Sequence, residues 1–368
     1  MKVGILTFHC ALNIGAQLQA YALCHTVESL GHDVKLINYS PRFLVKPYTI
    51  FNKAQLKYGI FSVIKQTLLH ILHNDIPIQF RRIRNYKKFQ KDYLSISDIR
   101  IYSADDLYKL HFDCIIVGSD QVWNPHFTGE TLDAVYTLNA HLQTKKVSYA
   151  ASLNNNSVDK SFLKELCYRL DSFELISVRE SQIKNVLQPF MAKNIEVVLD
   201  PTLLLSRKQW LQIINMRRIV KGKYVLCHQA RGDINMFNHI AEDFAHSHNC
   251  ILINTTGTNY RKGQNNMQYI DPFTYMCLVQ YAECIISASF HASATAIILE
   301  KPFYSISIGD GNDGREEDLL ERLGLTSQIL PFAEINKDIP KIDYNCVTLM
   351  LKKERGNSIN FLKQALCQ

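Results

Sequence analysis

The sequence predicts an α/β protein of two doubly wound, Rossmann-like domains with a cleft between them, and three observations carry that prediction. At 368 residues the chain exceeds what one hydrophobic core comfortably serves, so two domains are the default. Short apolar runs alternate with longer runs of helical spacing, the pattern of repeated βαβ units. Each short run also stops at polar or glycine residues. In parallel sheets this gathers reactive side chains at the carboxyl ends of the strands, where such sheets bind ligands.

Lys2 to His9 reads as the first strand and Ala11 to Gly15 as the turn after it. Ala16, Ala20, Leu23, Val27 and Leu30 then mark one face of a helix, and Gly31 ends it in the usual left-handed position. Val34 to Asn38 is the second strand. From Arg42 to Ser97 the pattern turns irregular, aromatic and basic, and reads as an insertion of helices. Further strands follow at Asp113 to Val117, Lys146 to Ala150, Phe173 to Val178 and Ile195 to Leu199. They break at Gly118-Ser119-Asp120, Ala151-Ser152, Arg179-Glu180 and Asp200-Pro201-Thr202. Each break has a structural use, Asp120 as a cap and Asp200-Pro201 as a turn, but four at one sheet edge suit a ligand site.

A helical, basic stretch from Leu205 to Gly222 leads to a second series. Its strands are Tyr224 to His228 and, after a helix through Ala241 and Phe244, Ile251 to Asn254. A polar loop from Thr255 to Asn266 and a helix from Phe273 to Ala282 come next. The run Cys284 to Ala288 then stops at Ser289-Phe290-His291, a helical run extends to Glu300-Lys301-Pro302, and Phe303 to Ile308 is another strand. His291 therefore sits where a strand meets a helix amino terminus, a position that attracts anions. The expected domains are 1–210, carrying the insertion around 42–97, and 211–340. A helical tail over 341–368 packs back on the first domain.

Composition narrows the class. Hydrophobic content of 47% and charged content of 20% describe an ordinary soluble globular chain. No apolar run approaches the roughly 20 residues of a membrane span, and Met1 to Thr7 lacks a signal-peptide layout. Ten cysteines form no Cys-x-x-Cys pair, which points to a reduced, cytosolic protein without a zinc site. The net charge of +7 is uneven: Arg81, Arg82, Arg84, Lys87, Lys88 and Lys91 face Asp92 alone between Phe80 and Tyr93. That segment fits a solvated helix face, or a surface for anionic lipid head groups or a diphosphate-linked substrate. Nothing resembles a nucleic-acid motif.

Arg179 from the first half and His291, Lys301 and Arg315 from the second are the groups expected in the cleft. A guanidinium grips phosphate or carboxylate through its fork, Lys adds a point charge, and His moves protons near neutrality. Cations with one His and no metal cluster suit transfer chemistry on a small phosphorylated anion. The loop Gly309 to Arg315 partly mimics a calcium site through Asp310, Asn312 and Glu321, but Gly314 replaces a ligand and Arg315 the required glycine. His246 and His248, two apart on a helix, read as surface residues.

Two doubly wound domains about a cleft is the architecture of GT-B-type transferases. The stretches Gly4 to His9, Leu12-Asn13-Ile14-Gly15-Ala16 and Leu18 to Leu23 resemble the start of the polysaccharide pyruvyl transferase family. Val117 to Asn124, Ser148 to Ser152, Ser177-Val178-Arg179-Glu180 and Leu199 to Leu204 are similar to it too. So are Ser289-Phe290-His291, Lys301-Pro302-Phe303 and Arg315 through Leu325. The likeness spans roughly 1–40 and 111–325. It departs at Ala292, where the family usually has Gly, and at Ile14, where an aromatic is frequent.

The resemblance implies transfer of the pyruvyl group of phosphoenolpyruvate onto two hydroxyls of one sugar, giving a ketal and phosphate. It implies His291 and Arg179 as catalytic residues. Arg179, Ser289, His291, Lys301 and Arg315 would hold the donor, and Asn13, Gln17 and Asp120 the acceptor. The acceptor would be a sugar or a lipid-diphosphate-linked oligosaccharide. No metal or other cofactor is implied, and the protein would be cytoplasmic, touching the inner face of the membrane through 81–91. The competing readings are a GT-B glycosyltransferase using a sugar nucleotide and a non-catalytic relative that binds sugar or phospholipid intermediates.

Overall fold

Central strands too apolar to leave either face in water build two all-parallel sheets, each covered by helices. The computed structural model describes residues 1–45, 75–140, 142–153, 158–229, 234–255, 265–309, 313–331 and 338–367. The first sheet comprises β1 (Lys2–Leu6), β2 (Asp33–Tyr39), β3 (Ile96–Ile101), β4 (Cys114–Val117), β5 (Lys145–Ala151), β6 (Leu175–Val178) and β7 (Ile195–Val197). Its spatial order is 3-2-1-4-5-6-7. The second comprises β8 (Tyr224–His228), β9 (Ile251–Asn254), β10 (Asn265–Asn266), β11 (Cys284–Ser287), β12 (Phe303–Ser307) and β13 (Ile329–Pro331), in the order 10-9-8-11-12-13. Both are the doubly wound arrangement the sequence predicts, with the strand order reversing beside β1 and β8.

The helices are α1 (Ile14–Ser29), α2 (Arg42–Val45), α3 (Asp75–Tyr93), α4 (Lys160–Leu170), α5 (Ser181–Leu187), α6 (Arg207–Ile213), α7 (Ile234–Ser247), α8 (Pro272–Tyr281), α9 (Phe290–Ile298), α10 (Gly314–Arg322) and α11 (Tyr344–Leu366). Asn13 caps α1 through Ala16 N at 3.2 Å, and Gly31, at φ +92°, ends it. The sequence predicts one apolar face on α1, yet the helix is buried nearly all round. It lies between its own sheet and the second domain, where Tyr21 meets Phe273 edge-on at 5.3 Å. Both sides are interior.

Of the predicted insertion, α3 falls among the described residues and 46–74 lie outside them. Tyr86 and Phe89 anchor α3 in the core. Its side chains also reach both domains: Arg82 Nη2 donates to Leu12 O at 2.6 Å, Gln90 Nε2 to His9 O at 3.0 Å and Asn85 Nδ2 to Tyr269 O at 2.6 Å. β3 is a strand where the sequence suggests the end of a helical insertion. It lies at the sheet edge with three successive exposed residues, so clean alternation is missing. β10 and β13 are edge strands too short for periodicity to reveal.

α11 returns to the first domain. Ser358 Oγ accepts from Leu199 N at 2.9 Å, Arg355 Nε donates to Leu203 O at 2.9 Å, and Phe361 packs 6.2 Å from Tyr149. Among the described residues no helix is long and apolar enough to cross a membrane.

Candidate active site

The carboxyl ends of β6 and β7 hold a buried charge cluster centred on Asp200. Asp200 caps a short 3-10 turn, its Oδ1 accepting from Thr202 N at 3.0 Å and Thr202 Oγ1 at 2.7 Å. Its Oδ2 accepts from Arg179 Nη1 at 3.0 Å and Ser119 Oγ at 3.3 Å. Arg179 Nε donates to Glu180 Oε1 at 2.9 Å, and Ser152 Oγ donates to the same oxygen at 2.9 Å. Burial alone would raise the Asp200 carboxyl, but His291, ahead of Arg179 and Thr202, holds it well below the usual range. For Arg179, burial opposes the charge while Glu180 and Asp200 more than restore it. Arg179 Nη2 and Glu180 Oε2 are buried without a hydrogen-bond partner among the described residues. A charged donor and an acceptor are thus left open in the interior, an arrangement that a polar ligand completes.

His291 comes to this cluster from the other domain. β11 ends at Ser287, Ser289 is the N-cap residue of α9, and His291 lies in that helix's first turn. Its Nε2 stands 3.6 Å from Asp200 Oδ2. Phe290 lays its ring against Arg179, 4.6 Å from guanidinium carbon to ring centroid, a cation–π contact across the cleft. His228, at the end of β8, bonds Thr255 Oγ1 at 2.8 Å, and burial, then His291, then Arg82 push it down to about 3. It stays neutral. Gly15 is why the imidazole fits, since a Cβ built there overlaps the ring at Nδ1. Gly15→Ala is therefore expected to displace His291 and lower kcat about 100-fold, a typical cost of a misplaced reactive group. Parent-like kinetics in that variant would contradict the packing.

Arg315 enters from the amino end of α10. With the Gln121 amide turned so that its oxygen faces Arg315, that oxygen accepts from Nη1 at 2.7 Å and Nη2 at 3.3 Å. Burial first, and then the nearby Arg179, press the Arg315 value down. Two guanidiniums from opposite domains repel each other here, and a bound anion relieves that repulsion. The domains are further fastened at this edge by Ser181 N donating to Asp318 Oδ1 at 3.0 Å. Asp120 follows β4 at φ +79°, its carbonyl accepting from Ser152 N at 2.9 Å and its half-buried carboxylate contributing to the field on Arg179 and Arg315. Gly118 before it, at φ +111°, has the tyrosine carbonyl of Tyr149 where a Cβ would stand.

Of the residues expected in the cleft, Arg179, His291 and Arg315 come together, with Ser289 beside them. Asn13 is exposed at the β1–α1 turn, and Asp120 lies at the end of the neighbouring β4. Gln17 is fully buried, its amide nitrogen donating to His9 O at 2.5 Å and Ala11 O at 2.7 Å, so it braces that turn from inside. Lys301 is not brought to the cleft. Phe303 pairs with Ile285, so Lys301 lies level with the start of β11, beside Glu283, at the end of the sheet opposite His291. Loop residues Asp310, Gly311 and Asn312 and loop positions 256–264 lie outside the described residues. The sequence names Asp200, Glu180 and Ser119 only as strand-end breaks and offers no sign that they form the hub. Gly15 carried a signal, a lone glycine at a helix amino end, without saying what it makes room for.

The family model described as polysaccharide pyruvyl transferase matches residues 13–310. Among curated proteins no match is found. A solved structure of Methanocaldococcus jannaschii UDP-GlcNAc 2-epimerase, in complex with UDP-GlcNAc and UDP, is similar at TM-score 0.53 and 14% identity. It aligns over 100% of this chain and 99% of that chain. Another structure of UDP-GlcNAc 2-epimerase from Methanocaldococcus jannaschii gives TM-score 0.50 and 12% identity, covering 96% of this chain and 92% of that chain. At these identities the likeness is one of fold: two Rossmann-like domains about a cleft, the GT-B-like architecture.

Proposed function

The chain belongs to the polysaccharide pyruvyl transferase family, and from that premise we propose that it transfers the pyruvyl group of phosphoenolpyruvate to two hydroxyls of a sugar in a lipid-linked polysaccharide precursor. The observation that carries the reading is the meeting of Arg179 and Arg315 beside His291, with Arg179 Nη2 buried and unpartnered among the described residues. Phosphoenolpyruvate presents a phosphate and a carboxylate, the two groups a guanidinium fork binds best. We assign the donor to Arg179, Arg315 and the Ser289–His291 turn. Asn13 and Asp120, on the first-domain side, are assigned to the sugar hydroxyls. Both guanidiniums stabilise charge on the departing phosphate. No other cofactor enters this scheme.

Incubation with phosphoenolpyruvate and a panel of lipid-linked sugars tests the reading. Phosphate release is expected together with an acceptor mass gain of one pyruvate less one water. Turnover of a sugar nucleotide in place of phosphoenolpyruvate would overturn it.

The lipid part of the reading rests on α3. Arg81, Arg84, Lys87, Lys88 and Lys91 are all exposed on it while Tyr86 and Phe89 fix its other face, and Phe80 is 57% exposed beside them. Such a face suits an anionic bilayer, each cation contributing about 1 kcal/mol. Changing Arg84, Lys87 and Lys91 together to Gln is expected to weaken binding to phosphatidylglycerol-containing vesicles about 100-fold. Unchanged co-sedimentation would remove the membrane from the proposal.

A further inference from the structure

Resting on the donor-site reading above, we infer that Asp200 is the positioning residue of an Asp–His dyad in which Nδ1 of His291 exchanges the proton with the reactants. His291 Nε2 is buried, has no hydrogen-bond partner among the described residues and faces Asp200 Oδ2 at 3.6 Å. The side chain is nevertheless 13% exposed, so its open part lies away from Nε2. Gly15 packs its backbone on the ring beside Nδ1, the missing Cβ giving the imidazole room, and Nδ1, unlike Nε2, is not a sealed, unpartnered atom. Asp200 cannot turn away, because Thr202 holds one of its oxygens while Ser119 and Arg179 hold the other.

A carboxylate beside one imidazole nitrogen keeps the proton there and leaves the lone pair on the other. The remaining charged groups around the ring do not compete for Nε2. Arg179 is committed to Glu180 and Asp200, His228 is neutral with Arg82 next to it, and α9 contributes no charged residue of its own.

The proton path follows. Nδ1 takes the proton of the first sugar hydroxyl as its oxygen bonds to the central carbon of phosphoenolpyruvate. The double-bond pair moves to the methylene carbon, which takes that proton back from Nδ1 and becomes methyl. The second hydroxyl then attacks the same carbon, and phosphate leaves with the electron pair of its carbon–oxygen bond. Nδ1 carries the second proton to that phosphate. At each imidazolium stage Asp200 balances the charge.

Nitrogen-edited NMR of the full-length protein tests this, with the His291 signals assigned by their loss in His291→Ala. The neutral ring is expected as the Nε2–H tautomer, and an Nδ1–H tautomer would overturn the dyad. Asp200→Asn is expected to lower kcat about 100-fold and to lose the tautomer preference. Its KM for phosphoenolpyruvate is expected to move less than about fivefold, because Glu180 still holds Arg179. Asp200→Glu, which keeps a carboxylate, is expected to recover about tenfold of the loss. A folded Asn variant that keeps the tautomer yet loses activity also overturns the proposal, since Asp200 then only braces the fold. Should the Asn variant not fold, the parent spectrum decides by itself. A parent with the Nε2–H tautomer but no turnover of phosphoenolpyruvate contradicts the donor reading and not the placement of the proton.

Discussion

His291→Ala is expected to lower kcat at least about 1,000-fold, within the range supplied by a positioned acid–base group, with the fold intact. The side chain lies in the first turn of α9 and is not a packing core. Its removal leaves Asp200 with Arg179, Ser119 and two donors from Thr202, so no carboxylate is stranded. Removing a mostly buried imidazole and its favourable field on Asp200 is expected to cost about 1–3 kcal/mol, short of unfolding the protein. Phosphate release under saturating phosphoenolpyruvate and acceptor measures the loss. Retention of more than about a tenth of the parent rate would show that the proton moves through another group.

Arg179→Ala is expected to act on two quantities at once. The guanidinium is nearly sealed and neutralises Glu180 and Asp200 together, so its removal leaves buried charge uncompensated at about 3–5 kcal/mol. It also removes Nη2, one of the groups assigned to the donor, and the KM for phosphoenolpyruvate is expected to rise about 10- to 100-fold. Arg179→Lys keeps a charge but cannot fork between two carboxylates, and its losses are expected to lie between parent and Ala. The stability difference has a definite pH sense. Asp200 has a depressed value in the folded protein, so its contribution is complete above the ordinary carboxylate range near 4 and is lost as the pH falls through the folded value. The gap between parent and Arg179→Ala is therefore expected to be wide near neutrality and to narrow in strong acid. Urea titrations across pH measure it. Unchanged donor dependence in the Ala variant would take Arg179 out of the donor site.

The βαβ unit around His291 was legible because β11 is a continuous buried run and α9 starts where the run stops. The same holds for β4, buried at all four residues and followed by Gly118 and Asp120. The meeting of Arg179, Arg315 and His291 was expected, but Asp200 as the partner of Arg179 and His291 was not legible. Asp200-Pro201-Thr202 reads as a turn and is one: Oδ1 makes the turn while Oδ2 serves Arg179 and faces His291. A sequence pattern cannot divide two oxygens of one carboxylate between two tasks. Lys301 follows His291 by ten residues, and the intervening helix carries the chain to the far end of the sheet, where cleft and cation part company. Gln17 belongs to a helix whose two sides are both interior, so a polar residue there serves the backbone.

The return of α11 sets a rule for recombining relatives. Ser358 and Phe361 lie at the end of the chain yet meet Leu199 and Tyr149 of the opening half. A chimaera made by swapping halves at the linker between β7 and β8 would inherit a mismatched buckle. The second half of the last helix has to be drawn from the same parent as the first domain, while Tyr344 and Glu354 in its first half meet Lys301 and Arg322 of the second, which turns one crossover into two.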